Sequence, residues 1–113
     1  MAEAKQEFAT FEEFWPYYLR QHKKRETRLV HVAGTILAGL SVLKALISFK
    51  IGWLILAPII GYGFAWVAHS FIEHNQPATF EYLKWSLRGD LEMTKLWLTG
   101  KLEAELVRYD ITT

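Results

Sequence analysis

Four histidines are the residues of this 113-residue chain best suited to metal chemistry: His22, His31, His69 and His74. Imidazole nitrogens bind iron, zinc and copper, and histidine combined with a carboxylate and open coordination positions suits Fe(II) and oxygen. Glu73 lies between the last two histidines in the sequence. Because cysteine is absent, a thiolate metal site and a disulfide framework are both excluded. Any metal must therefore be held by histidine and carboxylate side chains.

Two long apolar segments each contain one histidine, His31 in the first and His69 in the second. Residues 51–72 contain no Asp, Glu, Lys or Arg, and a helix over this range spans about 33 Å, close to the hydrocarbon thickness of a bilayer. Residues 29–49 carry one full charge, Lys44, whose long side chain can reach the interface. Two buried helices of a soluble bundle are the alternative, but the remaining chain is too short to cover both. We predict an all-α integral membrane protein with a single domain over residues 1–113, centred on a hairpin of two spanning helices at about 29–49 and 51–72.

The hairpin places the histidines at a common depth. His31 and His69 are equally far in sequence from Lys50, at the predicted turn, so they lie at similar depth near the open end of an antiparallel pair. His22 lies just outside the first span and His74 just past the second. All four are therefore predicted to gather at one membrane face, where ionisable residues are functional candidates by default. The alternative for each is an interfacial anchor or a hydrogen-bonding group at a helix end.

The spacing of the histidines along their helices limits how they can face one point. His22 and His31 can face one point only if the chain breaks between them, and a helix cap at Thr27 would permit that. His69 and His74 are about 140° apart on a straight helix, so both can face one point only if the helix loosens. Glu73 shares a face with His69; it is either part of the site, the first solvated charge after the span, or the partner of Arg28.

The segments outside the hairpin are predicted to be helical as well. Thr10 and Glu13 have the spacing of a capping box, so an N-terminal interfacial helix is predicted to begin near Phe11. Pro16 is too deep for the first turn of that helix, so the helix either kinks there or starts later. A second, amphipathic helix is predicted over about 79–109, with Thr79 as its cap and Gly89 as a candidate interruption. An interfacial aromatic belt is predicted from Phe8, Phe11, Phe14, Trp15, Tyr17 and Tyr18. The amphipathic pattern rests on two leucine rows, Leu83, Leu87 and Leu91, and Leu98, Leu102 and Leu106.

The basic residues predict the orientation. Lys44 and Lys50 lie at or near the turn, whereas all other lysines and arginines lie on the open side. The open side and both termini are therefore predicted to be cytoplasmic, in a bacterial inner membrane or the endoplasmic reticulum. A net charge of +1 indicates no polyanionic partner, and we predict no nucleic-acid role. The basic run at residues 23–25 is expected to contact lipid head groups. A homo-oligomer is left open.

The residues around the histidines resemble a known family. They are similar to the small membrane proteins related to the fungal 2-hydroxy-fatty-acid dioxygenase, which removes one carbon from 2-hydroxypalmitate during phytosphingosine breakdown. The similar segments are FWPYYLRQH at 14–22, RLVHVAGT at 28–35, GYGFAWVAH at 61–69 and FIEHNQPATF at 71–80, with SLRGD at 86–90 and Met93 typical of the short, mostly bacterial branch. The similarity covers most of residues 14–93.

The resemblance implies an Fe(II)-dependent, O2-using alpha-oxidation of a 2-hydroxy fatty acid, with His22, His31 and His69 as the matched histidines. His74 stands where the short branch commonly has Lys, and Thr27 where Asn is usual, so neither inherits a role. We include His74 among the candidate ligands and Glu73 among the candidate catalytic residues.

Two further expectations complete the hypothesis. Arg28 or Arg88 is expected to steer the carboxylate of the substrate, and the acyl chain is expected to lie among the apolar side chains of the hairpin. The rival hypothesis is a non-enzymatic membrane protein that binds lipid or a protein partner through its amphipathic C-terminal helix.

Overall fold

A computed structural model describes residues 7–76 and 82–111. Within these residues every regular element is a helix, which confirms the predicted all-α fold class. α3 continues without a break into a wider π-helical segment. The elements are α1 (Phe11–Arg20), α2 (Arg25–Ser48), α3 (Ile51–Val67), the π-helical segment (Ala68–Glu73), α4 (Leu83–Leu98) and α5 (Leu102–Arg108).

Helices α2 and α3 form the predicted hairpin. Its turn lies at Phe49, which adopts a left-handed conformation (φ 55°). Both arms are long and apolar enough to cross a membrane, and most of each apolar window is not buried inside the protein. Ile47 and Ile51, for example, are 68% and 71% exposed. Apolar exposure on this scale is untypical of a soluble monomer and is what a lipid-facing surface requires.

Close approach of the two arms depends on a glycine in α2. A Cβ at Gly34 would fall onto the side chain of Phe64 in α3, so only glycine allows this contact. Further along the hairpin, the Ser41 hydroxyl donates a hydrogen bond to the Trp53 carbonyl over 2.5 Å. These contacts fix the register of α2 against α3, and with it the relative depth of the histidines.

A second core closes the open end of the hairpin. It is built by α1, α4 and α5, with Phe14 and Leu19 fully buried and Leu102 and Leu106 almost so. The Thr10 cap is confirmed, since its side chain accepts a hydrogen bond from the Glu13 amide. The interfacial belt predicted from the α1 aromatic residues is wrong for most of them, because their rings pack on each other and on α4. Those buried are Phe11, Phe14, Trp15 and Tyr18.

The amphipathic C-terminal segment is two helices rather than one. Gly89 lies inside α4, and the break comes at Gly100, where φ is +72°. The Gly100 amide bonds to the Trp97 carbonyl and the Lys101 amide to the Leu96 carbonyl, which is the Schellman arrangement that ends a helix. The predicted cap at Thr79 lies outside the described residues.

Candidate metal centre

Three of the four histidines meet at the open end of the hairpin. His22 follows α1, His31 lies in the second turn of α2, and His69 lies in the π-helical segment. All three are buried, with at most 5% of each residue exposed. One ring nitrogen from each lies within 4.8 Å of the others, a spacing that can hold a metal ion.

Hydrogen bonds to the outer ring nitrogens fix the protonation of two of these histidines. Nδ1 of His22 lies 2.7 Å from the Tyr18 carbonyl oxygen, which only accepts, so Nδ1 carries the hydrogen. Nδ1 of His69 lies 2.6 Å from Oδ1 of Asn75. The Asn75 amide is oriented by its Nδ2, which donates to the backbone and side-chain oxygens of Gln21. Both neutral rings therefore carry their lone pair on Nε2.

The two Nε2 atoms of His22 and His69 lie 3.0 Å apart. Two nitrogen lone pairs at this distance repel each other unless a cation lies between or beside them. Metal-binding histidines commonly donate their other ring N–H to a carbonyl or carboxylate, as both rings do here. The pair therefore has the donor chemistry of a metal site.

His31 supplies the third nitrogen. Among the described residues, none hydrogen-bonds its buried Nδ1. Its Nε2 faces Oδ1 of Asp90 at 3.4 Å. A buried imidazole nitrogen without a partner is costly unless something outside the protein satisfies it. A metal ion shared with His22 and His69 would give this nitrogen a partner.

The surroundings of His22 favour its neutral form. Burial lowers the pKa of His22 well below its usual range, and the neighbouring His31 and His69 lower it further. A neutral imidazole is the form that binds a metal, so protons compete with the metal at this nitrogen only at acid pH.

Asp90 in α4 places a carboxylate 3.4 Å from Nε2 of His31, and the sequence pattern alone did not single it out. Its Oδ1 accepts a 2.5 Å hydrogen bond from the Tyr18 hydroxyl, and burial raises its pKa to about 7. Burial, followed by the negative charge of Asp90, in turn raises the pKa of Tyr18 well above 10. One signal in the sequence was available: Asp90 follows Leu87 by three residues, so it lies on the leucine face of the amphipathic helix.

A glycine brings Asp90 to this position. A Cβ at Gly89 would lie 2.8 Å from the Tyr18 ring, so α4 can approach α1 this closely only without a side chain there. Tyr18 also stacks on His22, with ring centroids 4.3 Å apart. Tyr18 therefore links the Asp90 carboxylate to the histidine cluster.

Glu73 is not one of the three clustered candidate ligands, and its carboxylate contacts the start of α2. Its Oε1 accepts from the Lys24 backbone amide at 3.0 Å and from the Thr27 hydroxyl at 2.8 Å. The predicted cap at Thr27 is wrong: α2 begins at Arg25 with Lys24 as its N-cap residue, and Glu73 supplies the acceptor from another element. A carboxylate here also stabilises the positive end of the helix dipole.

The two candidate arginines and His74 are likewise not brought to the centre. Nη1 of Arg28 donates to the His22 and Lys23 carbonyls at 2.9 and 2.6 Å. Arg88 lies over the Phe11 ring, with Cζ 4.2 Å from its centroid. His74 is exposed in a left-handed conformation (φ 65°). The end of α3 does widen into the π-helical segment, as the spacing of His69 and His74 required, but His74 remains exposed beyond it.

Comparison with known families identifies the family of this chain. A family profile described as 2-hydroxy-palmitic acid dioxygenase Mpo1-like matches residues 8–102. The chain belongs to the Mpo1-like family. No curated protein and no solved structure matches the chain. The matched range contains the three clustered histidines and Asp90, and the family description implies the use of O2.

A groove leads away from the histidines of this Mpo1-like chain. It has a volume of about 540 Å³ and lies between α2, α3 and α4. Of the described residues that line it, only Asp90 is charged, and most of the others are apolar or small. The groove therefore joins an apolar space, at the level of the hairpin, to the carboxylate beside His31.

Proposed function

We propose that this protein is a non-haem Fe(II) dioxygenase that shortens 2-hydroxy fatty acids by one carbon, with His22, His31 and His69 as the iron ligands. One observation carries the proposal: two lone-pair nitrogens face each other at 3.0 Å beside a third buried histidine with an unpaired nitrogen. The family description supplies the reaction class and substrate class. Histidine donors with open coordination positions suit Fe(II).

The overall reaction balances with O2 alone. A 2-hydroxy acid and O2 give the one-carbon-shorter acid, carbon dioxide and water, so all four oxidising equivalents come from O2. When bound, Fe(II) supplies the activation of O2 that this oxidation needs. The other steps belong to the protein, which must bind the chain, orient the 2-hydroxyl group and keep water away.

Asp90 is the residue we assign to the 2-hydroxyl group. It lies at the end of the groove and faces His31, and a carboxylate oxygen accepts a hydrogen bond from a hydroxyl. Its hydrogen bond with Tyr18 holds it in place. A site built around such a bond rejects analogues that lack the hydroxyl, because the buried polar group is then left unpaired.

We assign the remaining candidates to supporting roles. Arg28 positions the backbone of His22 and Lys23 through Nη1, and Glu73 ties the π-helical segment to α2. Arg88 packs on Phe11. The contacts of Arg28 and Arg88 therefore support a role in holding the surrounding protein in place more than a role in steering the substrate carboxylate.

The membrane placement extends the same proposal. Both arms of the hairpin are long and apolar enough to span a bilayer, and the basic residues favour a cytoplasmic open side. The histidine centre would then lie at the cytoplasmic interface, where the head group of a fatty acid resides. The rival hypothesis, binding of lipid or a partner through the C-terminal leucine rows, has less support because Leu102 and Leu106 are buried in the core.

Metal analysis of matched variants tests the centre. The purified protein, reconstituted anaerobically with Fe(II) and passed through a desalting column, should retain stoichiometric iron. His22→Ala, His31→Ala and His69→Ala should each lose it, whereas His74→Ala, which removes an exposed imidazole nearby, should not. Iron retained by all three cluster variants, or none retained by the wild type, contradicts the proposal.

A further inference from the structure

The groove between the hairpin and α4 is large enough to hold a ligand. Its volume of about 540 Å³ lies within the range typical of small-molecule sites, roughly 300–1,000 Å³. One wall is α2, from Thr35 past Gly39 to Val42, and α3 forms the opposite wall. Such a volume lined by apolar residues favours an apolar ligand over water.

The leucine row of α4 forms the third wall. Leu83, Leu87 and Leu91 line the groove and are 57%, 54% and 66% exposed. The other side of α4 is buried, with Gly89 packed on Tyr18 and Met93 in the core. The leucine row therefore has no covering partner within the described residues, and the groove in front of it is where a partner would lie.

The groove has a polar end and an apolar end. Asp90, its one charged residue among those described, lies 3.4 Å from the His31 ring. Gly39 and Val42 follow His31 in the same helix, and eight to eleven residues correspond to about 12–16 Å along its axis. A ligand with its polar group at Asp90 would thus extend along α2 away from the histidines.

We propose that this groove binds the acyl chain of a long-chain 2-hydroxy acid, with the 2-hydroxyl at Asp90 and the chain passing Gly39, and that the absence of a side chain at Gly39 sets the longest chain accepted. The proposal rests on the proposed function for its substrate class. A phospholipid acyl chain is the competing occupant. The ester end of a phospholipid acyl chain offers no hydrogen-bond donor to Asp90, whereas a 2-hydroxy acid offers its hydroxyl group, so the free 2-hydroxy acid fits better.

Gly39 is suited to test the proposal because a Cβ there meets none of the described residues. Within the described part of the chain, no atom lies within 4 Å of a Cβ built at Gly39 or at Gly63 in α3. Gly39 lines the groove, whereas Gly63 does not. Gly39→Phe would fill the groove without disturbing the hairpin, and Gly63→Phe is the matched control that adds the same ring elsewhere.

The experiment is photoaffinity labelling of the full-length protein in detergent, with metal removed by chelation. The probes are 2-hydroxypalmitic acid with a diazirine near the end of its chain and the matching derivative of 2-hydroxydecanoic acid. We expect wild-type adducts of the longer probe on groove residues such as Val42, Pro58 and Leu87. Gly39→Phe should reduce labelling by the longer probe about tenfold or more and leave the shorter probe unaffected, while Gly63→Phe should label like the wild type.

Three results would overturn the proposal: adducts mapped outside the groove, equal labelling of Gly39→Phe and Gly63→Phe, or loss of labelling on addition of a dipalmitoyl phospholipid, which would indicate a general lipid site. Mapping of the wild-type adducts remains decisive even if Gly39→Phe fails to fold. The labelling needs neither iron nor O2. The groove can therefore be labelled as expected even if the protein proves not to be an oxygenase. If the protein shortens 2-hydroxy acids but its groove is not labelled, the groove proposal is wrong and the oxygenase proposal stands.

Discussion

The hydrogen bond from His69 to Asn75 offers a sharp prediction about metal affinity. Oδ1 of Asn75 accepts from Nδ1 of His69 at 2.6 Å, which fixes the ring and directs its Nε2 lone pair toward His22. Asn75→Ala removes the acceptor, so the ring can rotate or change tautomer. Loss of such an outer partner typically weakens metal binding by about 10–100-fold, and we expect a decrease in this range.

The assay is competition for Fe(II) between the protein and a chromogenic chelator under anaerobic conditions. Asn75→Asp keeps an acceptor for His69 but loses the donor to Gln21, so its affinity should lie nearer to the wild type than that of Asn75→Ala. His74→Ala, one residue away and exposed, serves as the control and should bind normally. Unaltered affinity in Asn75→Ala, or a larger loss in His74→Ala, would refute the assignment of Asn75 as the residue that orients His69.

Three further predictions concern the supports of the centre. Glu73→Ala should lower the free energy of unfolding by about 1–2 kcal/mol, as loss of a helix cap does, yet retain iron; thermal unfolding and metal content in detergent check both. Gly89→Ala should lower the free energy of unfolding by about 1–3 kcal/mol through overpacking against Tyr18. Gly52→Ala, whose Cβ would meet none of the described residues, should not destabilise the protein. Burial raises the pKa of Asp90 from 3.8 to about 7, so its contribution to stability is full below the lower value and is lost as the pH rises to and through the upper one. Asp90→Asn, which cannot ionise, should reduce this loss of stability between the two pKa values in a pH series of melting temperatures, and an unchanged series would contradict the burial of the carboxylate.

The hairpin and the three-histidine cluster could be predicted from sequence because their signals are periodic or symmetric. Two uncharged segments predict the arms, and the equal sequence distance of His31 and His69 from Lys50 predicts their common depth. The structure brings these two together with His22. The requirement for a break before His31 was also correct, although Glu73 rather than Thr27 supplies the acceptor at that helix start.

The remaining features depend on tertiary contacts that local patterns do not encode. Whether a helix widens into a π-turn depends on packing, so the outward direction of His74 could not be read from its spacing. The role of Asp90 depends on the approach of α4 to α1 across Gly89. The α1 aromatic residues resemble an interfacial belt in composition, and only the packing of α4 and α5 against them shows that they form a core.

Product analysis tests the central claim most directly. The iron-reconstituted protein is incubated with 2-hydroxypalmitic acid and O2, and the fatty acids are identified by mass spectrometry while O2 uptake is recorded. The account predicts pentadecanoic acid and O2 uptake in equal amounts, both abolished by a chelator, by His31→Ala and by His69→Ala, and both retained in His74→Ala. An iron-loaded wild type that forms no shortened acid, or equal product from His31→Ala, would contradict the account.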